Sequence, residues 1–252
     1  MLETSRRILA KENAIEIARL SAETLVNKFE NLEIGGKIVK APYWKNFKSG
    51  FEGTCLYYVP KGGKLSPQEI VDITVAKASE QGQDLNFLSG EQLGYFMRSN
   101  GVGVDCSGFA YQISRTIYES LGGVDFDHKI IGKDGAVGIT RVNAWALTSE
   151  PNSFRVEKLT DIKPGDLIRS FGGSHAVVVL GLSSGKIQCV HPYETGENGV
   201  QRFNVTIEYP SADIFNQKWD EMEEPILKID SNDGVWRLKI LEGVYSFNLL
   251  PR

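Results

Sequence analysis

Apolar and polar positions recur at helical spacing in several segments of the chain. From Phe109 to Ile117 an apolar residue occupies every fourth position, which places an apolar stripe along a helix. A helix start is encoded further upstream, because Ser66 can cap it, Pro67 suits its first turn and Glu69 completes a capping box. The patterns predict helices over residues 5–31, 66–81, 109–120, 140–149 and 211–221.

Shorter apolar runs bounded by turn residues predict β-strands, most of them in the second half of the chain. The runs cover residues 54–59, 167–171, 174–182, 186–191, 203–207, 226–229 and 235–241. Gly35-Gly36 predicts a small hairpin over residues 33–39, and Ser183-Ser184-Gly185 predicts a tight turn between two longer strands. The last two runs would form a terminal hairpin. Helices followed by antiparallel strands indicate the α+β class.

Composition and charge narrow the possible partners. The chain has 252 residues, a net charge of −4 and 41% hydrophobic residues, as expected for a globular protein. This balance indicates neither a nucleic-acid nor a membrane partner, and no apolar run approaches the roughly 18 residues of a membrane helix. No signal peptide is visible, which leaves the compartment open between cytoplasmic and exported. The three cysteines lack disulfide-scaffold spacing, so we expect a free thiol.

A candidate nucleophile opens the predicted helix at 109–120. Asp105 stands where an N-cap belongs, and Cys106 falls in the first turn. Backbone N–H groups without helical partners and the positive end of the helix dipole both favour the thiolate at such a position. A lone cysteine is as often a small buried residue, so the assignment depends on its partners.

Two histidines on consecutive predicted strands are the candidate partners. His175 opens one strand and His191 ends the next, and adjacent antiparallel strands would bring them together over one apolar face of the sheet. We expect the helix that carries Cys106 to pack on that face. A thiol, an imidazole within hydrogen-bond reach and a third group that orients the imidazole are the parts of a nucleophilic triad.

Four motifs together resemble the NlpC-type papain-like cysteine peptidases. The motifs are Asp105-Cys106-Ser107-Gly108-Phe109, Lys163-Pro164-Gly165-Asp166-Leu167, Ser174-His175-Ala176-Val177-Val178 and the later His191. The resemblance covers residues 66–205 and implies a papain-like fold in which the cysteine-bearing helix packs on an antiparallel sheet or half-barrel. It also implies cleavage of bacterial cell-wall (murein) peptides, typically at a γ-D-glutamyl bond, with no cofactor.

By this resemblance Cys106 is the nucleophile, His175 the general base and acid, and His191 the residue that orients His175. The backbone N–H of Cys106 would contribute to an oxyanion hole. Tyr95 falls near a family tyrosine that assists the oxyanion hole or the substrate. Asp105 and Ser107 match positions that contact the amino end of the substrate peptide in some members.

The domain organisation predicted from the sequence is one catalytic domain with additions. Residues 1–60 would form an N-terminal helix and an aromatic-rich extension, and residues 61–252 would form the catalytic domain with a C-terminal hairpin. An insertion near 122–160 could roof the cleft. The aromatic side chains of residues 41–60 are typical of core packing more often than of sugar binding. His128 is expected at the surface and Cys55 in a structural role.

Three other functions stay open at the level of sequence. The same triad could act on an amide outside the cell wall or transfer the acyl group to an amine. Cys106, His175, His191 and Cys189 are zinc-ligand residue types, although their spacing matches no zinc finger or ribbon. A binding module without catalytic activity is the third alternative.

Overall fold

The computed structural model describes residues 2–44, 63–132, 134–194, 199–220, 226 and 228–247. For residues 2–11 it describes the helical backbone only. The protein has α+β architecture, with helices concentrated in the first half and an antiparallel sheet in the second. No described helix is both long enough and apolar enough to span a bilayer.

The described residues of the N-terminal half form four α-helices and a hairpin, largely where the sequence predicts them. The elements are α1 (Leu2–Glu30), β1 (Leu32–Ile34), β2 (Lys37–Val39), α2 (Pro67–Glu80), α3 (Gly90–Ser99) and α4 (Cys106–Ser120). The predicted capping box of α2 is present, since Ser66 and Glu69 bond reciprocally across its first turn. Gly35 and Gly36 both have positive φ, which closes the β1–β2 hairpin.

The second half builds a seven-stranded sheet bordered by two helices. The elements are α5 (Ala144–Leu147), β3 (Ser153–Arg155), β4 (Leu167–Ser170), β5 (His175–Ser183), β6 (Lys186–Tyr193), β7 (Gly199–Thr206), β8 (Lys218–Asp220), β9 (Gly234–Leu238) and α6 (Lys239–Phe247). The strand order is β3-β9-β4-β5-β6-β7-β8, with every described pairing antiparallel.

The sheet is apolar on both faces and separates two hydrophobic cores. On one face, side chains such as Val178 and Val190 pack with α4 and α1, whose Phe109 and Phe29 rings lie 5.1 Å apart. On the other face, Val179 shares a core with residues from the segments around β3 and β8. The helix that opens at Cys106 is therefore fixed between α1 and the sheet.

Two predictions for the C-terminal region are wrong. The predicted helix at 211–221 is a short 3-10 turn, Ile214–Asn216, followed by strand β8. The predicted terminal hairpin is absent among the described residues, because β9 pairs with β3 and β4 and the chain then turns into α6. The predicted strand at 54–59 and Cys55 lie outside the described residues.

Candidate active site

Cys106 is the first residue of α4, as the sequence predicts. Asp105 is its N-cap, and the Asp105 carboxylate accepts a hydrogen bond from the Gly108 N–H at 2.6 Å. The Cys106 side chain is buried, and its Sγ lies 4.0 Å from the carbonyl oxygen of Ser174. This contact places the thiol beside the first residue of β5, His175.

His175 and His191 form a buried hydrogen-bonded pair, as the sequence predicts. Nε2 of His175 lies 2.8 Å from Nδ1 of His191, and His191 is fully buried. The Tyr193 ring stacks on His191 at 5.1 Å, and Phe203 contacts the His191 ring edge-on from β7. These aromatic contacts fix the plane of His191 and thereby the direction of its bond to His175.

The His191 member of this pair resists protonation. Burial, together with the neighbouring His175, holds the pKa of His191 well below its usual range. One hydrogen lies between Nε2 of His175 and Nδ1 of His191, and the tautomers of the two rings decide which nitrogen donates it. The second ring nitrogen of His191 is Nε2. That atom is buried and finds no partner among the residues that the structure describes. Nδ1 is the ring nitrogen of His175 that does not take part in the bond to His191.

The helix lies on the other face of the sheet from the one expected. His191 contacts Phe203 on the face that carries Val179, whereas α4 packs on the face that carries Val178. Alternation along the strands predicts correctly which residues share a face, but it does not say which face the helix covers. The first residue of α4 lies near the start of β5, where Cys106 Sγ is 4.0 Å from the Ser174 carbonyl oxygen.

Asp105 and Ser107 flank the nucleophile and are both bonded to Lys64. The Lys64 Nζ donates to Asp105 Oδ1 at 2.7 Å and also to the Ser107 hydroxyl, and all three residues are buried. The Ser107 hydroxyl donates to the same Asp105 oxygen at 2.9 Å. The two candidate substrate-binding residues therefore belong to an internal ion-pair cluster.

Tyr43 is a site residue that the sequence analysis did not single out. Residues 42–44 run beside Val104, with backbone bonds from Val104 to Pro42 and from Trp44 to Val104. Burial, then the negative charges of Cys106 and its neighbours, raise the pKa of Tyr43, so its phenol stays protonated beside the thiol. In the sequence this residue is recognisable only as part of the Pro-Tyr-Trp run after the hairpin. A long segment separates it from Cys106, so no local pattern links the two residues.

Asp233 is a second residue that the sequence analysis missed. The turn before His175 holds three successive residues at positive φ, namely Phe171, Gly172 and Gly173. The fully buried Asp233 carboxylate accepts the Gly172 N–H at 2.9 Å and the Arg169 guanidinium at 3.3 Å. The C-terminal segment therefore supports the turn that leads into β5.

The remaining candidates lie apart from this cluster. Tyr95 is 68% exposed on α3 and borders a groove of about 600 Å³ whose described lining contains neither Cys106 nor the two histidines. His128 is a surface residue paired with Asp125, as expected. Cys189 is buried in the second core, and burial raises the pKa of its thiol.

The described residues contain no group of three His, Cys, Asp or Glu side chains placed to hold a metal ion. What the site does contain is a thiol at a helix N-terminus, an imidazole pair and a protonated phenol. Comparison of the chain with protein-family models, curated proteins and solved structures finds no match.

Proposed function

We propose that this protein is a cysteine peptidase or amidase that hydrolyses amide bonds of bacterial cell-wall peptides, at a γ-D-glutamyl bond. The observation that carries the proposal is the Cys106 thiol at the start of α4, in contact with the carbonyl oxygen of Ser174, the residue before His175, together with the His175–His191 pair. The wall-peptide substrate rests on the resemblance of the four motifs to the NlpC-type peptidases.

The reaction begins with proton transfer from Cys106 to Nδ1 of His175. The thiolate attacks the carbonyl carbon of the substrate, and the negative charge that develops on the carbonyl oxygen is stabilised by the Cys106 N–H and the Tyr43 hydroxyl. His175, held by His191, then gives its proton to the leaving amine, which departs as the carbon–nitrogen bond breaks.

Hydrolysis of the resulting thioester completes the cycle. His175 removes a proton from water, the hydroxide attacks the thioester carbonyl, and the carbon–sulfur bond breaks to release the acid. The departing Cys106 thiolate regains the proton from His175. Transfer to an amine in place of water would give a new amide instead of an acid, so the products distinguish hydrolysis from acyl transfer.

The test is digestion of purified murein and of soluble tri- and tetrapeptide fragments, followed by mass spectrometry. We expect the wild type to release products with a gain of one water, and Cys106→Ala to release none. Cys189→Ala is the matched control, because it removes a buried thiol from the opposite core and should leave cleavage intact.

A second readout separates the chemistry from the substrate. At pH 6, iodoacetamide should modify Cys106 and leave Cys189 unmodified, because a nucleophile activated by a helix start and an imidazole reacts at low pH. If Cys106 is reactive but neither substrate is cleaved, the proposal of a thiol enzyme stands and the wall peptide is rejected as its substrate. An unreactive Cys106 without cleavage would reject the enzyme.

A further inference from the structure

Lys64 is a buried lysine whose ammonium group lies between the two residues that flank the nucleophile. It is 9% exposed and bonds to Asp105 and to Ser107. A buried ammonium is stable only where a carboxylate and further acceptors replace its water. Asp105 and Ser107 supply both, so they form a cation site that is filled from within the chain.

The backbone around Lys64 holds the ammonium in this site. The Asp105 N–H donates to the Gly63 carbonyl at 2.7 Å, and the Gln112 amide donates to the Lys64 carbonyl at 3.2 Å. A Cβ at Gly108 would lie 2.3 Å from the Gly63 carbonyl oxygen, so the motif glycine lets this segment cross the start of α4.

Described groups surround both oxygens of the Asp105 carboxylate. Its Oδ1 accepts from Lys64, Ser107 and the Gly108 N–H, and a Cβ at Gly63 would lie 2.6 Å from its Oδ2. A second ammonium could reach this carboxylate only by displacing Lys64, because two like charges repel at such distances.

We propose that Lys64 takes the place of a substrate ammonium, so that the enzyme cleaves amides whose amino end is blocked or internal as readily as those with a free one. The inference rests on the proposed amide hydrolysis. It makes Lys64 the residue that determines specificity at the amino side, and it defines the substrate class as peptides that need no N-terminal charge.

The first test uses wild-type enzyme and a pair of peptides that differ only in N-terminal acetylation. We expect values of kcat/KM that agree within about threefold, since no charged contact is lost on acetylation. A loss of roughly tenfold or more on acetylation, the effect of one charge-assisted hydrogen bond, would overturn the proposal. Lys64→Ala should show that preference for the free amine, because the variant leaves the carboxylate unoccupied.

The second test needs no enzymatic activity. Lys64→Ala removes the atoms of a propylammonium ion, and Lys64 borders an open groove of about 940 Å³ through which that ion can enter. Propylammonium chloride should raise the melting temperature of Lys64→Ala by about 3 °C or more over sodium chloride at equal ionic strength. It should not raise that of the wild type or of Lys64→Met, whose side chain fills the space without charge.

The two tests fail separately. If neither peptide is cleaved, the proposed function fails, and the propylammonium result alone decides whether Asp105 and Ser107 form a cation site. A melting temperature of Lys64→Ala that does not respond to propylammonium would overturn the cation site. If Lys64→Ala does not fold, the acetylation comparison on the wild type still decides the proposal.

Discussion

A neutral histidine is an effective orienting group only if it stays neutral throughout the working pH range. His191 meets this condition, because it is completely buried between Tyr193 and Phe203 and its pKa lies well below the usual range. In the tautomer that carries its hydrogen on Nε2, its Nδ1 accepts the bond from His175 Nε2. The proposed mechanism needs this arrangement, because it assigns the role of general acid to His175.

The same burial makes the protein sensitive to acid. Because the folded pKa of His191 is lower than its unfolded value near 6.5, the unfolded state binds more protons below that pH. Burial of His191 therefore does not lower the free energy of unfolding at pH 7.5. Below pH 6.5 it lowers that free energy by up to about 1.4 kcal/mol for each pH unit. We expect the free energy of unfolding to fall less between pH 7.5 and 5 in His191→Asn than in the wild type.

Activity provides the control for this substitution. In His191→Asn the amide does not titrate but still offers an oxygen to His175, whereas His191→Leu offers none and should lower kcat by roughly 100-fold through misplacement of the imidazole. Urea unfolding at both pH values measures the first effect and steady-state kinetics the second. Equal acid sensitivity of His191→Asn and the wild type would mean that His191 is protonated in the folded protein.

At the scale of elements, the turn that leads into β5 depends on the C-terminal segment. The turn at 171–173 adopts left-handed backbone angles, which cost energy at a non-glycine residue such as Phe171. Asp233 stabilises the turn through the Gly172 N–H and neutralises Arg169. Although burial by itself raises the pKa of Asp233, its bonds to three backbone N–H groups outweigh burial and lower it.

We expect Asp233→Asn to impair the site as well as the fold. The loss of the buried charge leaves Arg169 short of a counter-ion, which should cost about 3 kcal/mol of stability. The shifted turn should also slow cleavage by about tenfold and reduce the rate of Cys106 alkylation at pH 6. Stability comes from urea unfolding, and the other two quantities come from kinetics on the folded variant.

Glu242→Gln is the matched control for Asp233→Asn. Glu242 also belongs to a C-terminal ion-pair cluster, with Lys163 and Arg237, but it makes no described bond to the turn before His175. We expect its substitution to lower stability with little effect on Cys106 alkylation. Equal alkylation rates in both variants would show that Asp233 supports the fold alone.

The same elements show what the sequence predicts and what it does not. The α4 start, the α2 capping box and the β5–β6 hairpin depend on local signals, and all are confirmed. The role of β9 depends on pairing with β3 and β4, which are distant in sequence. The turn signal at 230–234 is real, since Asp233 N–H bonds to the Asp230 carbonyl, but it does not determine which strands pair.

The contacts that complete the candidate site are of this distant kind. Cys106, His175 and His191 are recognisable because each occupies a motif position with local chemistry. Tyr43 and Lys64 reach Val104 and Asp105, just before Cys106, across long stretches of chain, and Asp233 reaches the His175 turn from the C-terminal segment. Hydrophobic periodicity and helix-capping signals do not identify such partners, because their positions depend on contacts between distant parts of the chain.

At the scale of the molecule, the first and last described helices both pack in the first core beside the sheet. The α1 helix packs on α4 in the first core, to which α6 contributes Leu241 and Tyr245. The Tyr245 hydroxyl donates to the Pro164 carbonyl at 2.6 Å, and Lys163 pairs with Glu242. The Pro-Gly-Asp turn before β4 is thereby bound to the last described helix.

The buried pair of Asp166 and Arg237 is the centre of this connection, and it predicts how the protein loses stability. Arg237 Nε and Nη2 donate to the two oxygens of Asp166 at 2.7 and 2.8 Å, and Asp166 is fully buried. In Arg237→Met the carboxylate would remain buried without its counter-ion, which should cost about 3–5 kcal/mol at pH 7.5.

Neutralising the carboxylate should recover part of that loss. Asp166→Asn combined with Arg237→Met removes the buried charge and leaves an oxygen for the Lys163 N–H, which bonds to Asp166 at 2.8 Å. We expect the double variant to be more stable than Arg237→Met alone, by urea unfolding at pH 7.5. The gap should narrow as the pH falls, because the unpaired Asp166 then takes up a proton in the folded state. If the double variant is less stable than Arg237→Met at every pH, the prediction is wrong. That result would mean that other groups stabilise the Asp166 carboxylate in the absence of Arg237, because an unpaired buried charge is less stable than a neutral amide in the same place.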